Sequence, residues 1–300
     1  MNIIDMTECS TVRDGNFVVV TPNFNMSRYL AQTIESVLAN LRPGDQYFVI
    51  DGGSTDGSLD IIKKYASRLT GWVSEHDAGY ADAISKGFSL GTAEYQCWIN
   101  CGDLLLEGAL DLARDLIEES GADMIFGDDC YIDENNRVIE YSRGICKDLR
   151  VAMLYGDWTP LQDACFWRSE LYMRVGGLDP NLKSAADYAL FANFAVAGKT
   201  CYVPYALSAF RRHQGQKSIA NKVSYKTEKS RVRRNLVAAC SDSLLMKLRL
   251  RIVNFVVIRW RVRVMHRIWD IPSLHGRAVS DLIAGISWPL GENSRIACRR

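Results

Sequence analysis

The chain has 300 residues, of which 48% are hydrophobic, and a formal net charge of +1. This apolar content supports a sizeable folded core and excludes a disordered chain. The charge is unevenly placed: residues 1–220 carry 19 Lys/Arg and 30 Asp/Glu, whereas residues 221–300 carry 17 and 5. We therefore expect an acidic body followed by a basic extension suited to an anionic partner.

The nine cysteines form no CxxC pair, and no Cys/His cluster has zinc spacing. An odd number of scattered cysteines favours reduced thiols over a disulfide framework. Asp5 and Glu8 interrupt the N-terminal segment, which therefore does not resemble a signal peptide. No apolar run reaches the roughly 18 residues of a membrane-spanning helix. These features predict a cytoplasmic protein.

Four short apolar segments predict strands, and the first two are typical of buried strands in a parallel sheet. They are residues 17–21, 47–50, 71–74 and 95–99. Helical patterns lie between them, and Ser27 is positioned to cap the first of these helices. The alternation predicts an α/β fold with a doubly wound, mostly parallel sheet flanked by helices.

Polar segments follow each predicted strand, at residues 21–25, 51–56, 75–82 and 100–103. Each segment alone could be an ordinary turn. Ligands of such sheets bind outside the carboxyl ends of the strands, where all four segments would meet. We therefore predict a shared binding site at this edge.

The glycine-rich loop at residues 51–57 lacks both the GxGxxG and the GxxxxGK[ST] spacings. This disfavours a nicotinamide-dependent oxidoreductase and a P-loop protein. A diphosphate would be repelled by Asp51, Asp77, Asp82 and Asp103 unless a divalent cation or Lys86 intervened. An acidic edge that binds a nucleotide diphosphate therefore implies Mg²⁺ or Mn²⁺.

A series of motifs in this order resembles family-two glycosyltransferases with the GT-A fold, and is most similar to the branch that assembles bacterial surface polysaccharides. The resemblance covers roughly residues 16–220. The motifs are VTPNFN at 20–25, IDGGSTDG at 50–57, SEHDAG at 74–79, DAISKG at 82–87, NCGD at 100–103, QDACFWR at 162–168, VGGLD at 175–179, ADY at 186–188 and FRRHQGQKS at 210–218.

The resemblance implies a nucleotide-sugar site built from these motifs. Asp51 would bind the base, most often uracil, so a UDP-sugar is the expected donor. The implied nucleotide- and donor-binding residues are Thr21, Pro22, Asn25, Asp51, Ser54, Asp77, Asp82, Lys86, Asn100, Gly102 and Asp103.

The resemblance also implies a metal site and a catalytic base. Residues 100–103 stand where the family has an Asp-x-Asp-like motif, of which only Asp103 keeps its carboxylate. Asp103 and His213 would hold Mn²⁺ or Mg²⁺, although a lone His in a basic stretch is equally a surface residue. Asp187 matches the base, and Ala186 stands where the family often has Glu. Asp187 could instead cap its helix.

The sequence indicates the residues that would contact the acceptor less clearly. Trp158, beside Pro160, and Gln162 are weak candidates for acceptor contact. Trp167 sits in an apolar run that favours the core. Asp128 and Asp129 follow a predicted strand at 124–126, where a solvated loop is favoured over an acceptor site.

These features divide the chain into a GT-A domain at 1–220 and a basic, mainly helical extension at 221–300. The domain has a nucleotide-sugar half at about 16–105 and an acceptor half at about 106–220. Residues 244–269 hold seven Lys/Arg and no Asp/Glu. This segment could lie on an anionic membrane, at the inner face of the cytoplasmic membrane, or pack as a helical subdomain. Nucleic acid is disfavoured because no binding motif is present.

Two functions remain. The first is a metal-dependent inverting glycosyltransferase that moves a sugar from a nucleotide-diphosphate sugar to a hydroxyl of a lipid-linked or polysaccharide acceptor. The second is a non-catalytic nucleotide-sugar-binding or scaffold protein. Retention of Asp103, Asp187 and His213 favours the first.

Overall fold

The structure is a computed structural model that describes residues 15–142, 148–156, 158–213, 222–240, 275–279 and 297–298. Two sheets and eight α-helices are formed within these ranges. The strands are β1 (Phe17–Asn23), β2 (Gln46–Asp51), β3 (Gly71–Ser74), β4 (Tyr95–Trp98), β5 (Leu104–Leu105), β6 (Met124–Phe126), β7 (Asp129–Ile132), β8 (Val138–Ser142), β9 (Cys165–Arg168), β10 (Thr200–Tyr202), β11 (Ser208–Arg211) and β12 (Ala297–Cys298). The helices are α1 (Ser27–Leu38), α2 (Ser58–Tyr65), α3 (Tyr80–Leu90), α4 (Ala109–Ser120), α5 (Leu149–Tyr155), α6 (Ser169–Arg174), α7 (Ala186–Ala197) and α8 (Lys222–Ala239).

The main sheet has the strand order β12-β10-β6-β9-β4-β1-β2-β3. β1 pairs in parallel with both β2 and β4, β2 with β3, and β6 with β10. β9 runs antiparallel between β4 and β6, and β12 is antiparallel at the edge. The predicted mostly parallel α/β sheet is therefore confirmed. A second, four-stranded sheet has the order β5-β11-β7-β8.

Alternate residues of β1 point to opposite faces of the main sheet, and both faces are covered. Val18 and Val20 join a core cluster with α3, α5 and α7, whereas Phe17 and Val19 join a second cluster with α1 and α4. This two-sided burial is why the strands are continuously apolar. Trp167 is completely buried, as predicted.

The first helix begins one residue earlier than a Ser27 cap would require. Ser27 is the first residue of α1, and Met26 occupies the N-cap position. The backbone N–H of Ser27 instead donates to Oδ2 of Asp56 at 2.7 Å. The predicted cap is therefore wrong, because an acid from the next loop supplies the acceptor.

The described start of the basic extension packs against the catalytic body. Tyr225, Val232, Leu236 and Val237 of α8 contact the core cluster that contains α7. The described part of the extension therefore shares a core with the rest of the chain, and the domain boundary at residue 220 stays a prediction. The basic segment at 244–269 lies outside the described residues.

Within the part of the chain that the structure describes, no helix combines the length and apolar character needed to cross a membrane. Cys97, Cys101, Cys130, Cys165 and Cys240 are free thiols. Cys201 is disulfide-bonded, so the expectation of reduced thiols is wrong at this residue.

Candidate functional site

The carboxyl ends of β1, β2 and β3 meet at one edge of the main sheet. The parallel register aligns Asn23 with Asp51, and Asp51 with Ser74. Asp51 accepts hydrogen bonds from Asn23 Nδ2 at 2.7 Å, from Ser74 Oγ at 2.7 Å and from the Ser54 N–H at 3.0 Å. The predicted strand ends are thus joined by one carboxylate.

Asp51 is held in its ionised form by this network. Its side chain is completely buried, and burial alone would raise its pKa. The hydrogen bonds from Ser54, Ser74 and Asn23 outweigh burial and lower the pKa below its usual value. Asp51 therefore connects the ends of the strands below the protein surface. The residues that donate hydrogen bonds to its carboxylate also cover it.

The loops after β1 and β2 are tied together by Asn25 and Ser54. Ser54 Oγ accepts the Asn25 N–H at 2.8 Å, and Asn25 Oδ1 accepts the Thr55 N–H at 2.9 Å. Asn25 has a φ of 52°, in the left-handed region that Asn tolerates better than most residues. Asn25 is exposed and Pro22 partly exposed, so both present surface at the edge. Thr21 is buried, and its hydroxyl pairs with that of Tyr47 at 2.9 Å.

The loop after β3 and the first turn of α3 bring two more carboxylates, Asp77 and Asp82, to this edge. Asp77 Oδ1 accepts the Gly79 N–H at 2.9 Å, and Asp82 Oδ2 accepts the Ala78 N–H at 3.0 Å. A Cβ on Gly52 would lie 2.6 Å from Oδ2 of Asp77, so this glycine permits the close approach of the two loops. Both carboxylates are partly exposed.

Lys86 lies on α3 and forms an ion pair with Glu75. This hydrogen bond is the main reason why the pKa of Lys86 is raised, and the carboxylates of Asp82 and Asp77 add to it. Lys86 is therefore surrounded by acids, and a diphosphate would have to compete with Glu75 for it.

The segment after β4 is held by Gln162. Nδ2 of Asn100 donates to Oε1 of Gln162 at 2.6 Å, and Nε2 of Gln162 donates to the Trp98 carbonyl at 2.7 Å. Gln162 is buried, and both ends of its amide are engaged. The structure thus gives Gln162 a role in fixing Asn100, and its contact with an acceptor stays a prediction.

Asp103 is 4% exposed and is linked to β11. Its Oδ1 accepts the backbone N–H of Arg211 at 2.9 Å, and Arg211 Nε donates to the Gly102 carbonyl at 2.7 Å. Gly102 has a φ of +113°, which side chains rarely permit. The Asp-x-Asp-like motif at 100–103 thus lacks a second carboxylate where Gly102 adopts a backbone conformation that suits glycine.

Asp163 is a buried acid beside this segment that sequence reasoning did not assign. It is 1% exposed, and neither carboxylate oxygen has a hydrogen-bond partner among the described residues. Burial is the main cause that raises the pKa of Asp103, and the charge of Asp163 raises it further. The signal was present in the QDACFWR motif, where Asp163 follows Gln162.

Asp187 lies in the first turn of α7, at the second helical position, and is not its N-cap. It is partly buried, and Oδ1 accepts the Tyr188 N–H at 2.7 Å. Burial raises its pKa to about 6, against the opposing effects of this hydrogen bond and of Lys229. Such a carboxylate is ionised at neutral pH yet basic enough to take a proton.

The remaining predicted residues are less closely tied to the edge. The ring of His213 lies 5.4 Å from that of Tyr29, and Trp158 packs against Phe126 at 5.8 Å, centroid to centroid. Residues 214–221, which contain the end of the last motif, lie outside the described ranges. Asp128 is buried and accepts hydrogen bonds from Tyr202 and, at 3.1 Å, from Tyr141. The predicted solvated loop at Asp128 is therefore wrong, because two phenols cover it.

The family profile of glycosyl transferase family 2 matches residues 18–174, more than half of the chain. The chain belongs to glycosyl transferase family 2. The predicted family and its GT-A type of fold are confirmed.

Several relatives are named as glycosyltransferases. This family-2 chain is 23% identical over 288 residues to an uncharacterized glycosyltransferase of Nostoc sp., covering 90% of this chain and 88% of that protein. It is 26% identical to the glycosyltransferase GlyG of Streptococcus pneumoniae, but the match spans only 39% of this chain and 40% of GlyG. It is 24% identical to a PGL/p-HBAD biosynthesis glycosyltransferase of Mycobacterium tuberculosis, over 63% and 75% of the two chains.

Two solved structures share the fold. S. aureus TarS in complex with UDP-GlcNAc superposes with a TM-score of 0.63 at 16% identity, covering 79% of this chain and 70% of TarS. The mannosyltransferase PcManGT of Pyrobaculum calidifontis, in complex with GDP-Man and Mn²⁺, gives a TM-score of 0.58 at 13% identity, covering 85% and 74%.

Proposed function

We propose that this family-2 protein is an inverting glycosyltransferase that moves a sugar from a UDP-sugar to a hydroxyl of a lipid-linked or polysaccharide acceptor. The observation that carries the proposal is the state of Asp187. It is a partly exposed carboxylate whose pKa is raised to about 6, on a helix that packs against the donor half. Carboxylates whose pKa is strongly raised by burial cluster at functional sites.

In the proposed reaction Asp187 accepts the proton of the acceptor hydroxyl. The hydroxyl oxygen then attacks the anomeric carbon from the face opposite the nucleotide, and the bond between that carbon and the diphosphate oxygen breaks. One displacement inverts the anomeric configuration. A positioned base contributes about 10²- to 10⁴-fold in rate. The exposed Asn25 and the partly exposed Pro22, Asp77 and Asp82 are among the predicted residues that would contact the donor.

The residues present fit a divalent cation. Asp103 and Asp163 are adjacent buried carboxylates, and both oxygens of Asp163 lack partners among the described residues. Carboxylate oxygens are the ligands that Mg²⁺ and Mn²⁺ prefer. No group of three His, Cys, Asp or Glu side chains is gathered within the described ranges, so diphosphate and water oxygens would complete the coordination. When bound, the cation would neutralise negative charge on the leaving diphosphate.

The choice of donor and acceptor draws on the relatives. TarS is described with UDP-GlcNAc and PcManGT with GDP-Man, so both nucleotides occur on this fold. We favour UDP because the family motif around Asp51 most often serves uracil. A surface-glycan acceptor is consistent with the PGL/p-HBAD biosynthesis relative.

Exposed basic residues on α8 suggest where the protein meets its acceptor. Lys226, Arg231 and Arg234 are exposed along α8. Such residues near an anionic bilayer contribute roughly 1 kcal/mol each. We therefore propose peripheral attachment to the inner face of the cytoplasmic membrane, tested by sedimentation with phosphatidylserine vesicles and with neutral phosphatidylcholine vesicles. Equal binding to both would contradict it.

The decisive experiment combines nucleotide binding with sugar transfer. Thermal unfolding is measured with UDP and GDP, each with and without Mn²⁺, because a ligand of the folded state raises apparent stability. Transfer is then measured for the wild type and Asp187→Asn. We expect metal-dependent stabilisation by UDP in both proteins and transfer only in the wild type. Stabilisation without any transfer would favour the alternative, a nucleotide-sugar-binding scaffold.

A further inference from the structure

The N-terminus of α7, which carries Asp187, depends on other elements for its capping. Ala185 occupies the N-cap position and Ala186 begins the helix, and neither side chain can accept a hydrogen bond. The first N–H groups of a helix have no partner within the helix and need acceptors from elsewhere. Tyr80 on α3 supplies one, since its hydroxyl oxygen accepts the Ala186 N–H at 2.8 Å.

Glu228 on α8 accepts the N–H groups of the three residues that precede the helix. Its Oε2 accepts the N–H groups of Ser184 and Ala185, both at 2.9 Å, and its Oε1 accepts that of Lys183 at 3.3 Å. One carboxylate thus fixes three consecutive residues immediately before the helix. A negative charge at a helix N-terminus is also favoured by the helix dipole.

Lys229, the next residue of α8, lies near Tyr188, the neighbour of the base. Its Nζ is 5.0 Å from the centroid of the Tyr188 ring and 3.3 Å from Oγ1 of Thr159. Burial is the main cause of the raised pKa of Asp187; Lys229 opposes the rise and Glu228 adds to it. The third titratable group that faces Asp187 is Tyr80, which burial keeps neutral by raising its own pKa.

We propose that Glu228 and Lys229 are positioning residues for the catalytic base: Glu228 holds residues 183–185, and with them the start of α7, and Lys229 sets a compensating positive charge beside Asp187. The proposal rests on the proposed role of Asp187 as the base. It assigns a catalytic purpose to α8, which lies beyond the residues matched by the family profile.

The two residues act on Asp187 in different ways. The hydrogen bonds of Glu228 control where the carboxylate lies, and a misplacement of about 1 Å can cost on the order of 10²-fold in rate. The charges of Glu228 and Lys229 control how readily Asp187 ionises, and they do so in opposite directions. Substitutions can therefore separate position from charge.

The experiment uses the full chain with three variants. Glu228→Ala removes both the acceptor and the charge, Glu228→Gln keeps an acceptor oxygen but removes the charge, and Lys229→Met removes the other charge while keeping the stem. The controls are Lys64→Met, at an exposed lysine in the last turn of α2, and Glu119→Gln, at an exposed acid on α4. For each protein we would measure kcat, the donor KM and the pH profile of kcat/KM.

We expect Glu228→Ala to lower kcat roughly 10- to 10²-fold with the donor KM unchanged. Glu228→Gln should keep most of the wild-type kcat. The acid limb of its kcat/KM profile should move to lower pH, because the variant lacks a negative charge near Asp187. Lys229→Met should move the acid limb to higher pH. Both controls should match the wild type.

A second readout does not require activity. The carboxyl carbon of Asp187 can be titrated by ¹³C NMR in aspartate-labelled protein. Its signal is assigned as the one that is missing from the spectrum of Asp187→Asn. If wild type transfers no sugar, the proposed function fails, but the titration still tests the coupling. Titrations of Glu228→Gln and Lys229→Met that coincide with wild type, or that shift in the same direction, would overturn the proposal. Should Glu228→Ala fail to fold, the Gln and Met variants decide.

Discussion

The backbone N–H of Arg211 donates to Oδ1 of Asp103 at 2.9 Å and joins the end of the donor half to β11 of the second sheet. The guanidinium of Arg211 repeats the connection through the Gly102 carbonyl. Asp103 is therefore part of the framework as well as a proposed metal ligand. Variants at this residue must separate the two roles.

Asp103→Asn is the variant that does so, because its amide oxygen can still accept the Arg211 N–H. We expect the unliganded variant to unfold close to the temperature of the wild type. We also expect the Mn²⁺-dependent part of its stabilisation by UDP to disappear, since a neutral amide is a poor ligand for a hard cation. Thermal unfolding with and without Mn²⁺ measures both. Undiminished Mn²⁺ dependence would exclude Asp103 as a ligand.

The pH dependence of the reaction should reflect Asp187. Its pKa is raised to about 6, and only the ionised form can accept a proton. Transfer should therefore be independent of pH above about 7 and fall tenfold per unit below about 6. The profile of kcat/KM with a fixed donor concentration checks this. If kcat/KM instead fell only near pH 4, the base would be an ordinary exposed carboxylate.

Asp187→Asn should stabilise the fold at high pH. The folded pKa of about 6 exceeds the unfolded value of about 3.9, so ionisation of Asp187 costs stability as the pH rises between these values. Allowing for partial exposure, the variant should gain about 1–2 kcal/mol in unfolding free energy at pH 8 and nothing below about pH 4. Urea unfolding at pH 8 and pH 4 measures the difference. An equal change at both pH values would contradict the linkage.

Arg114 forms a buried ion pair with Asp45 that fixes the start of the main sheet. Its side chain is 1% exposed, and its Nε also donates to the Gly15 carbonyl at 2.8 Å. Arg114→Met should cost about 3–5 kcal/mol, because it leaves the Asp45 charge buried and without its cationic partner.

The matched control for Arg114→Met is Arg42→Met. Arg42 pairs with Asp111 at 2.6 Å, but both side chains are largely exposed, so this change should cost less than about 1 kcal/mol. Chemical unfolding of the two variants gives the comparison. Similar losses in both would mean that burial of the Arg114 pair contributes nothing.

Much of the fold is determined by local patterns in the sequence. The apolar runs at 17–21, 47–50, 71–74 and 95–99 correspond to β1 to β4. β1 and β2 are buried along almost their whole length, as expected of strands covered on both faces, whereas β3 at the sheet edge is partly exposed. The parallel arrangement then requires the polar segments after these strands to meet at one edge. The order of the motifs likewise indicated the family.

Other features were decided only by the tertiary structure. Burial of Asp51, Asp128 and Asp163 depends on what packs over each carboxylate, which residue type alone does not reveal. Ser27 and Ala185 show the same limit at helix ends, because their N–H groups bind Asp56 and Glu228 from other elements.

The sequence by itself therefore determined the sheet, the edge that carries the site and the identity of the family. Only the folded chain decided how Asp187 is held and how readily it ionises. Glu228 and Ala185 are separated by 43 positions along the chain. Contacts over that distance arise from helix packing, and a carboxylate responds to every charge and every loss of solvent around it.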